Sequence, residues 1–198
     1  MNEPMLSDLI DNQRTDKNTY HSYLGVYQKL FSPKRTTAKN VLEIGVGWVE
    51  NENGGSIKLW KDYFQESMIY GLDITNPNVI WDAIKNDDRI MLFLEKDAYD
   101  HTFFNNTFKM FINNKIGFDI LIDDGPHTLE SMKTFIQIYS KLLAKDGIMV
   151  VEDVQTLDWI PELIKAVPEN LKMFVEVYDL RHIKGRWDDI LFVINCNK

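Results

Sequence analysis

From residue 40 onward, short apolar runs alternate with longer amphipathic stretches. The runs are residues 41–45 (Val-Leu-Glu-Ile-Gly), 68–73 (Met-Ile-Tyr-Gly-Leu-Asp), 89–94 (Arg-Ile-Met-Leu-Phe-Leu), 118–122 and 148–151. Their alternation with helix-length segments predicts βαβ units around a mostly parallel sheet. The clearest helix follows His127, where Leu129, Met132, Phe135, Ile136, Tyr139, Leu142 and Leu143 recur at spacings of three and four, and Lys145-Asp146-Gly147 reads as its stop. Ahead of the sheet, residues 6–10 and 20–31 carry helical signals, separated by polar residues 11–18 and ended by Ser32-Pro33. At the other end, residues 171–178 and 190–195 read as two strands joined by a polar loop, a terminal antiparallel hairpin. The expectation is an α/β protein with seven strands and helices on both faces. A helical cap segment (residues 1–39) precedes the core (residues 40–198) in a single domain.

Composition narrows the partners. A chain of 198 residues with 44% hydrophobic residues can bury one sizeable core. A net charge of -8 argues against nucleic acid, whose binding relies on clustered Lys and Arg. Cys196 is the single cysteine, so no intramolecular disulfide is possible. The N-terminal residues lack the basic and apolar regions of a signal peptide, and no window approaches the roughly 18 apolar residues that read as a membrane span. A soluble, cytoplasmic protein without a membrane partner is expected; homo-oligomerisation is left open.

Two apolar runs end in paired acids. Ile120-Leu-Ile breaks into Asp123-Asp124-Gly125-Pro126-His127, and Gly147-Ile-Met-Val-Val into Glu152-Asp153. The C-terminal ends of strands form the ligand crevice of an open α/β sheet, so adjacent strands ending this way would gather four carboxylates and an imidazole, a site for a hard cation and a general base. On the bland reading, Glu152 and Asp153 cap the next helix and His127 is a surface residue. The first run leads into Gly45 and Gly47, which allow a close backbone turn, but position 50 is Glu and Gly54 and Gly55 come after a polar insertion, which is not a dinucleotide fingerprint. Asp73, thirty residues after Glu43, can accept hydrogen bonds from ribose hydroxyls, and Asp97 with the Ala98 backbone can read an adenine edge.

Glu43-x-Gly45-x-Gly47, Asp73, Asp97 and the acid-ended fourth strand together resemble class I S-adenosylmethionine-dependent methyltransferases. Asp123-Asp124-Gly-Pro-His127 followed by Val151-Glu152-Asp153-Val-Gln-Thr156 is similar to the metal-dependent sugar O-methyltransferases of macrolide biosynthesis (mycinamicin type) and their cephalosporin-biosynthesis relatives. Thr15-Asp16-Lys17 with Tyr20, His21 and Tyr23 resembles their cofactor-capping segment, and residues 179–186 their C-terminal loop. The resemblance implies a Rossmann-like methyltransferase fold and Mg2+ on Asp124, Glu152 and Asp153. It implies His127 as base beside Asp124. S-adenosylmethionine would lie against Thr15, Lys17, Tyr20, Glu43, Gly45, Gly47, Ser56, Asp73, Asp97, Ala98 and Asp123. The macrolide enzymes carry a large additional N-terminal domain, whereas 40 residues precede the first strand-like run here, so their acceptor specificity does not carry over.

The chemistry expected is transfer of a methyl group to a hydroxyl of a sugar or glycosylated small molecule. The metal lowers the hydroxyl pKa, His127 takes the proton and the nucleoside pocket aligns the methyl. Alternatives are a metal-dependent hydrolase and a non-catalytic nucleoside-binding module. The basic run Arg181, His182, Lys184 and Arg186 would close over the acceptor or be a solvated loop; His21 would line the pocket or pack in the core. His101 reads as a helix cap or surface residue. Of the tryptophans, Trp187 is placed nearest the acceptor and Trp48, Trp60, Trp81 and Trp159 are given no role.

Overall fold

The computed structural model describes residues 4–47 and 53–197; Trp48 and Glu50 lie outside them. The strands are β1 (Asn40–Ile44), β2 (Met68–Leu72), β3 (Ile90–Phe93), β4 (Phe118–Asp123), β5 (Leu143–Val151), β6 (Val175–Asp179) and β7 (Ile190–Asn195), in the spatial order β3-β2-β1-β4-β5-β7-β6. The first five are parallel, and β7 runs antiparallel between β5 and β6. This seven-stranded sheet with a C-terminal antiparallel hairpin is the Rossmann-like methyltransferase fold that the sequence implies.

Alternation along the strands divides the core. Val41, Ile69, Ile120, Ile122, Ile148 and Val150 face one side, with Tyr27 and Phe31 of α2 (Leu24–Phe31) and Trp60 of α3 (Gly55–Tyr63). Leu42, Leu121, Met149 and Val151 face the other, with Phe104 and Phe108 of a helix at His101–Asn113, Phe135 and Tyr139 of one at Leu129–Tyr139, and Leu163 of one at Ile160–Ala166. Burying both faces explains why these strands read as near-continuous apolar runs. Leu6 of α1 (Leu6–Leu9), Tyr23 and Leu24 join the first cluster, so the segment before β1 packs on the sheet. Among the described residues no helix is long and apolar enough to cross a membrane.

Three boundaries differ from expectation. The helix after His127 ends at Tyr139, Ser140–Leu142 form a 3-10 turn, and β5 begins at Leu143 and runs through Lys145, Asp146 and Gly147. Gly147 is a close approach rather than a stop, since a Cβ there would lie 2.9 Å from the Phe118 carbonyl oxygen, beside a register shift between Phe118 and Ile120. Buried Lys34 pairs with Asp146 at 2.5 Å and accounts for the acid in this strand. The run at 171–178 divides, Glu169–Phe174 forming 3-10 helix before β6. Tyr20 and Tyr23 precede α2, and Ser32–Lys34 continues as 3-10 helix because proline is tolerated in a first turn.

Candidate active site

Register brings the acid-ended strands level. Ile44 of β1 pairs with Asp123 of β4, and Asp123 with Val151 of β5, so Gly45, Asp124 and Glu152 leave the sheet side by side. The crossing is tight. Asp124 donates its N–H to the Ile44 carbonyl at 2.8 Å, and a Cβ on Gly45 (φ 90°) would lie 1.8 Å from the Asp124 carbonyl oxygen. β1 stands where strand order reverses, the place where open α/β sheets bind ligands.

Alternation then separates the two acids of β4. Asp123 turns to the second face, buried, accepting from the Tyr99 hydroxyl at 2.5 Å; burial pushes its carboxyl up to about 7. Asp124 turns to the first face and meets an ammonium from far away in sequence. Lys17 is fully buried, with Nζ 2.7 Å from Asp124 Oδ2, 2.7 and 2.8 Å from the Glu152 oxygens and 3.2 Å from Glu43 Oε1. Burial would lower the Lys17 pKa, but Asp124, Glu152 and Glu43 outweigh it and hold it well above its usual value. Ser56 donates to Glu43 at 2.7 Å and the Tyr27 hydroxyl donates to Glu152, completing the group.

Above it, the other Asp124 oxygen faces the open side. His127 Nε2 lies 3.1 Å from Asp124 Oδ1 and 3.2 Å from Asp153 Oδ2, and the Tyr23 hydroxyl donates to Asp153 Oδ1 at 2.6 Å. Both His127 (φ 52°) and Asp153 (φ 53°) hold left-handed backbone, a conformation that costs non-glycine residues about 1–3 kcal/mol and clusters at functional sites. The strain is braced: Gln155 donates to the His127 carbonyl at 2.8 Å, and Thr128 with Ser131 forms a capping box that starts the next helix. Burial opposes charge on His127, but the Asp124 and Asp153 carboxylates raise its pKa to about 9. Asp153, pushed up by burial and by Asp124, reaches about 6.

A cleft of about 1150 Å3 opens from this point along the strand ends. Thr15, Gly45, Gly47 and Ser56 line it, as do Asp73, Asp97 and Ala98, together with Asp124 and His127. Asp73 braces the glycine turn, with Oδ2 accepting from Val46 N (2.6 Å) and Gly47 N (3.2 Å) and Oδ1 from Thr75 N (2.8 Å); a carboxylate so engaged still has lone pairs for a ligand. Asp97 turns back to accept from Tyr99 N at 2.8 Å, and the Ala98 carbonyl is taken by the Tyr139 hydroxyl.

Other expected residues lie off the cleft wall. Lys17, Glu43 and Glu152 are buried beneath it, and Tyr20 is half-exposed under the Arg186 guanidinium, 3.7 Å away. The three acids expected around one metal divide: Asp124 and Glu152 share a group with Glu43, whereas Asp124 and Asp153 share one with His127. The basic run clamps the chain's own N-terminal segment. Lys184 donates to the carbonyls of Thr19 (3.2 Å), His21 (2.6 Å) and Asn18, and Arg181 pairs with Asp179 at 2.7 Å. His101 begins the helix capped by Asp100, Trp187 is exposed away from the cleft, Trp81 stacks under Arg14, and Trp60 is core. Sequence reading passed over Tyr27 and Tyr99, whose hydroxyls serve Glu152 and Asp123, and Ile74, exposed on the cleft wall. Tyr23 and Tyr27, four apart, carried a signal, since buried tyrosines need polar partners.

No family model matches the chain. Among curated proteins it is 32% identical over 159 residues to the 8-demethyl-8-alpha-L-rhamnosyl tetracenomycin-C 2'-O-methyltransferase of Streptomyces olivaceus, covering 79% of this chain and 39% of that protein. It is 31% identical over 161 residues to the mycinamicin VI 2''-O-methyltransferase of Micromonospora griseorubida, covering 79% and 38%. The chain thus spans about two-fifths of the length of the curated relatives it matches. Among solved structures, MycE methyltransferase from the mycinamycin biosynthetic pathway in complex with Mg and SAH superimposes with a TM-score of 0.73 at 25% identity, covering 98% of this chain and 55% of that one. Its complex with Mg, SAH and mycinamycin VI also gives 0.73 at 25% identity, covering 98% and 54%.

Proposed function

We propose, for a chain that has the class I methyltransferase fold and resembles the mycinamicin-type sugar O-methyltransferases, that it transfers a methyl group from S-adenosylmethionine to a hydroxyl of a sugar or glycosylated small molecule with the help of magnesium. The observation that carries this reading is the junction at Asp124, where one cleft is lined both by the glycine turn with Asp73 and by an imidazole held by two carboxylates.

The residues suit magnesium. Asp124 and Asp153 offer hard oxygen donors on either side of His127 and would hold the ion; Glu152, third of the expected set, is anchored on Lys17 and Tyr27 beneath them. When bound, magnesium acidifies and orients a coordinated hydroxyl. S-adenosylmethionine supplies an activated methyl group for in-line transfer. His127 Nε2, on the cleft lining, accepts the hydroxyl proton. With both carboxylates turned on it, the imidazole holds a proton at neutral pH. Sharing Asp124 and Asp153 with a cation would withdraw that negative charge and leave Nε2 free as a base. Gly45, Gly47 and Asp73 shape the cofactor wall, and Thr15 and Ser56 close it from the N-terminal segment and α3.

The test is calorimetry with S-adenosylhomocysteine alongside radiolabelled methyl transfer to a panel of glycosides. Asp124→Asn should keep its affinity for S-adenosylhomocysteine and lose transfer. Wild-type protein that binds neither S-adenosylhomocysteine nor S-adenosylmethionine would sink the reading and leave the hydrolase.

A further inference from the structure

Among the described residues, three groups of metal-competent side chains run in series across the strand ends, each sharing a residue with the next. They are Glu43/Asp124/Glu152, Asp124/His127/Asp153 and His21/Asp153/Asp188, and within each the donor atoms lie within 4.8 Å of one another. The chain closes the first with Lys17, and the second opens on the cleft. The third receives no lysine. Asp188 Oδ2 pairs with Arg186 at 2.8 Å, but its Oδ1 is buried without a hydrogen-bond donor. Neighbouring Asp189, fully buried, accepts from Ser22 N at 3.1 Å through Oδ1 while its Oδ2 has no donor. His21 Nδ1 stands 3.2 Å from both Asp153 Oδ1 and Asp189 Oδ1, and one N–H cannot fully serve two carboxylates. Asp153 also takes the Tyr23 hydroxyl and faces His127, so the oxygens left without a donor are Asp188 Oδ1 and Asp189 Oδ2. A buried acceptor left without a donor is costly, more so when charged.

We propose that His21, Asp153 and Asp188 form a second divalent-cation site, with Asp153 as the carboxylate between it and the methyl-transfer site. Only that bridging rests on the function proposed above. A mixed imidazole and carboxylate set suits manganese, iron(II) or zinc better than magnesium, which prefers oxygen alone. The three ligands come from the N-terminal segment, the end of β5 and the loop before β7, so the ion's work is to pin the first and last of these onto the sheet. Lys184 and the Arg186–Tyr20 stack tie the same two segments together further out.

The probe is manganese(II), with the full chain crystallised in its presence and anomalous difference density measured at the manganese edge. Metal content after gel filtration, in parallel, should be two ions per chain in wild type and one in each of Asp188→Asn, His21→Gln and Asp124→Asn. A peak between His21, Asp153 and Asp188 is expected, and it should persist in Asp124→Asn. A single peak at Asp124 and Asp153, with Asp188→Asn unchanged in metal content, would overturn the second site. A peak at His21 alone would support the second site while contradicting the cation of the proposed reaction, and no peak at all would overturn both. Wild-type density decides even where a variant fails to fold.

Discussion

The carboxylate groups on either side of Asp124 are built from the same residue types and end differently. Below, Glu43, Asp124 and Glu152 surround the buried Lys17 ammonium, with Ser56 and Tyr27 as further donors. Above, Asp124 and Asp153 flank an imidazole that lines a cleft, on backbone held in a strained conformation. The lower group takes its cation from the chain itself, one ammonium among three carboxylates, with burial still holding Glu43 and Glu152 above their usual range, and the upper is left for something to arrive. Asp124 belongs to both, so the fixed ammonium sets the direction of a carboxylate whose other oxygen is available for chemistry.

The largest effect should come from breaking the lower group. Lys17→Met strands three buried acids, and removing one partner of a buried ion pair costs about 3–5 kcal/mol, which a urea unfolding curve would register. An unfolding midpoint equal to wild type would mean that Lys17 does not compensate them. His127→Asn should act the opposite way. Asparagine tolerates left-handed backbone, so stability should change little while methyl transfer falls by roughly 10²–10⁴-fold, the usual worth of a general base, at constant affinity for S-adenosylhomocysteine. Equal losses of binding and rate would instead give the imidazole a structural role. Tyr27→Phe removes one donor from Glu152 and should cost about 1.5–3 kcal/mol in the same unfolding assay. At the periphery, Lys184→Met, which frees three carbonyls at the surface, should cost on the order of 1 kcal/mol and leave transfer rates intact.

The contrast also marks what the chain's order discloses. The sheet was legible because strands buried on both faces are written as compact apolar runs, and the acids at 123–124 and 152–153 mark where two of them end. The division between Asp123 and Asp124 follows from strand alternation alone. The role of Lys17 was not legible: it lies 107 residues from Asp124, and the resemblance sets it against the cofactor, whereas the fold buries it among Asp124, Glu152 and Glu43. Nor do periodic patterns reveal that Glu152 turns down while left-handed backbone turns Asp153 toward His127. Lys145-Asp146-Gly147 misled for the converse reason. A turn-like triplet is accommodated in a strand when Lys34 pairs with its acid and the neighbouring strand needs its missing Cβ.

What separates the two carboxylate groups is whether the cation comes from the chain or from outside. The most direct measurement is acceptor-dependent release of S-adenosylhomocysteine by wild-type protein, with magnesium and after chelation, with cofactor affinity followed by calorimetry in both states. Turnover should stop on chelation, return with added magnesium, and leave the affinity for S-adenosylhomocysteine within about twofold, a change of ~0.4 kcal/mol. Undiminished turnover in the chelated protein would show that Asp124, His127 and Asp153 do their work without a metal.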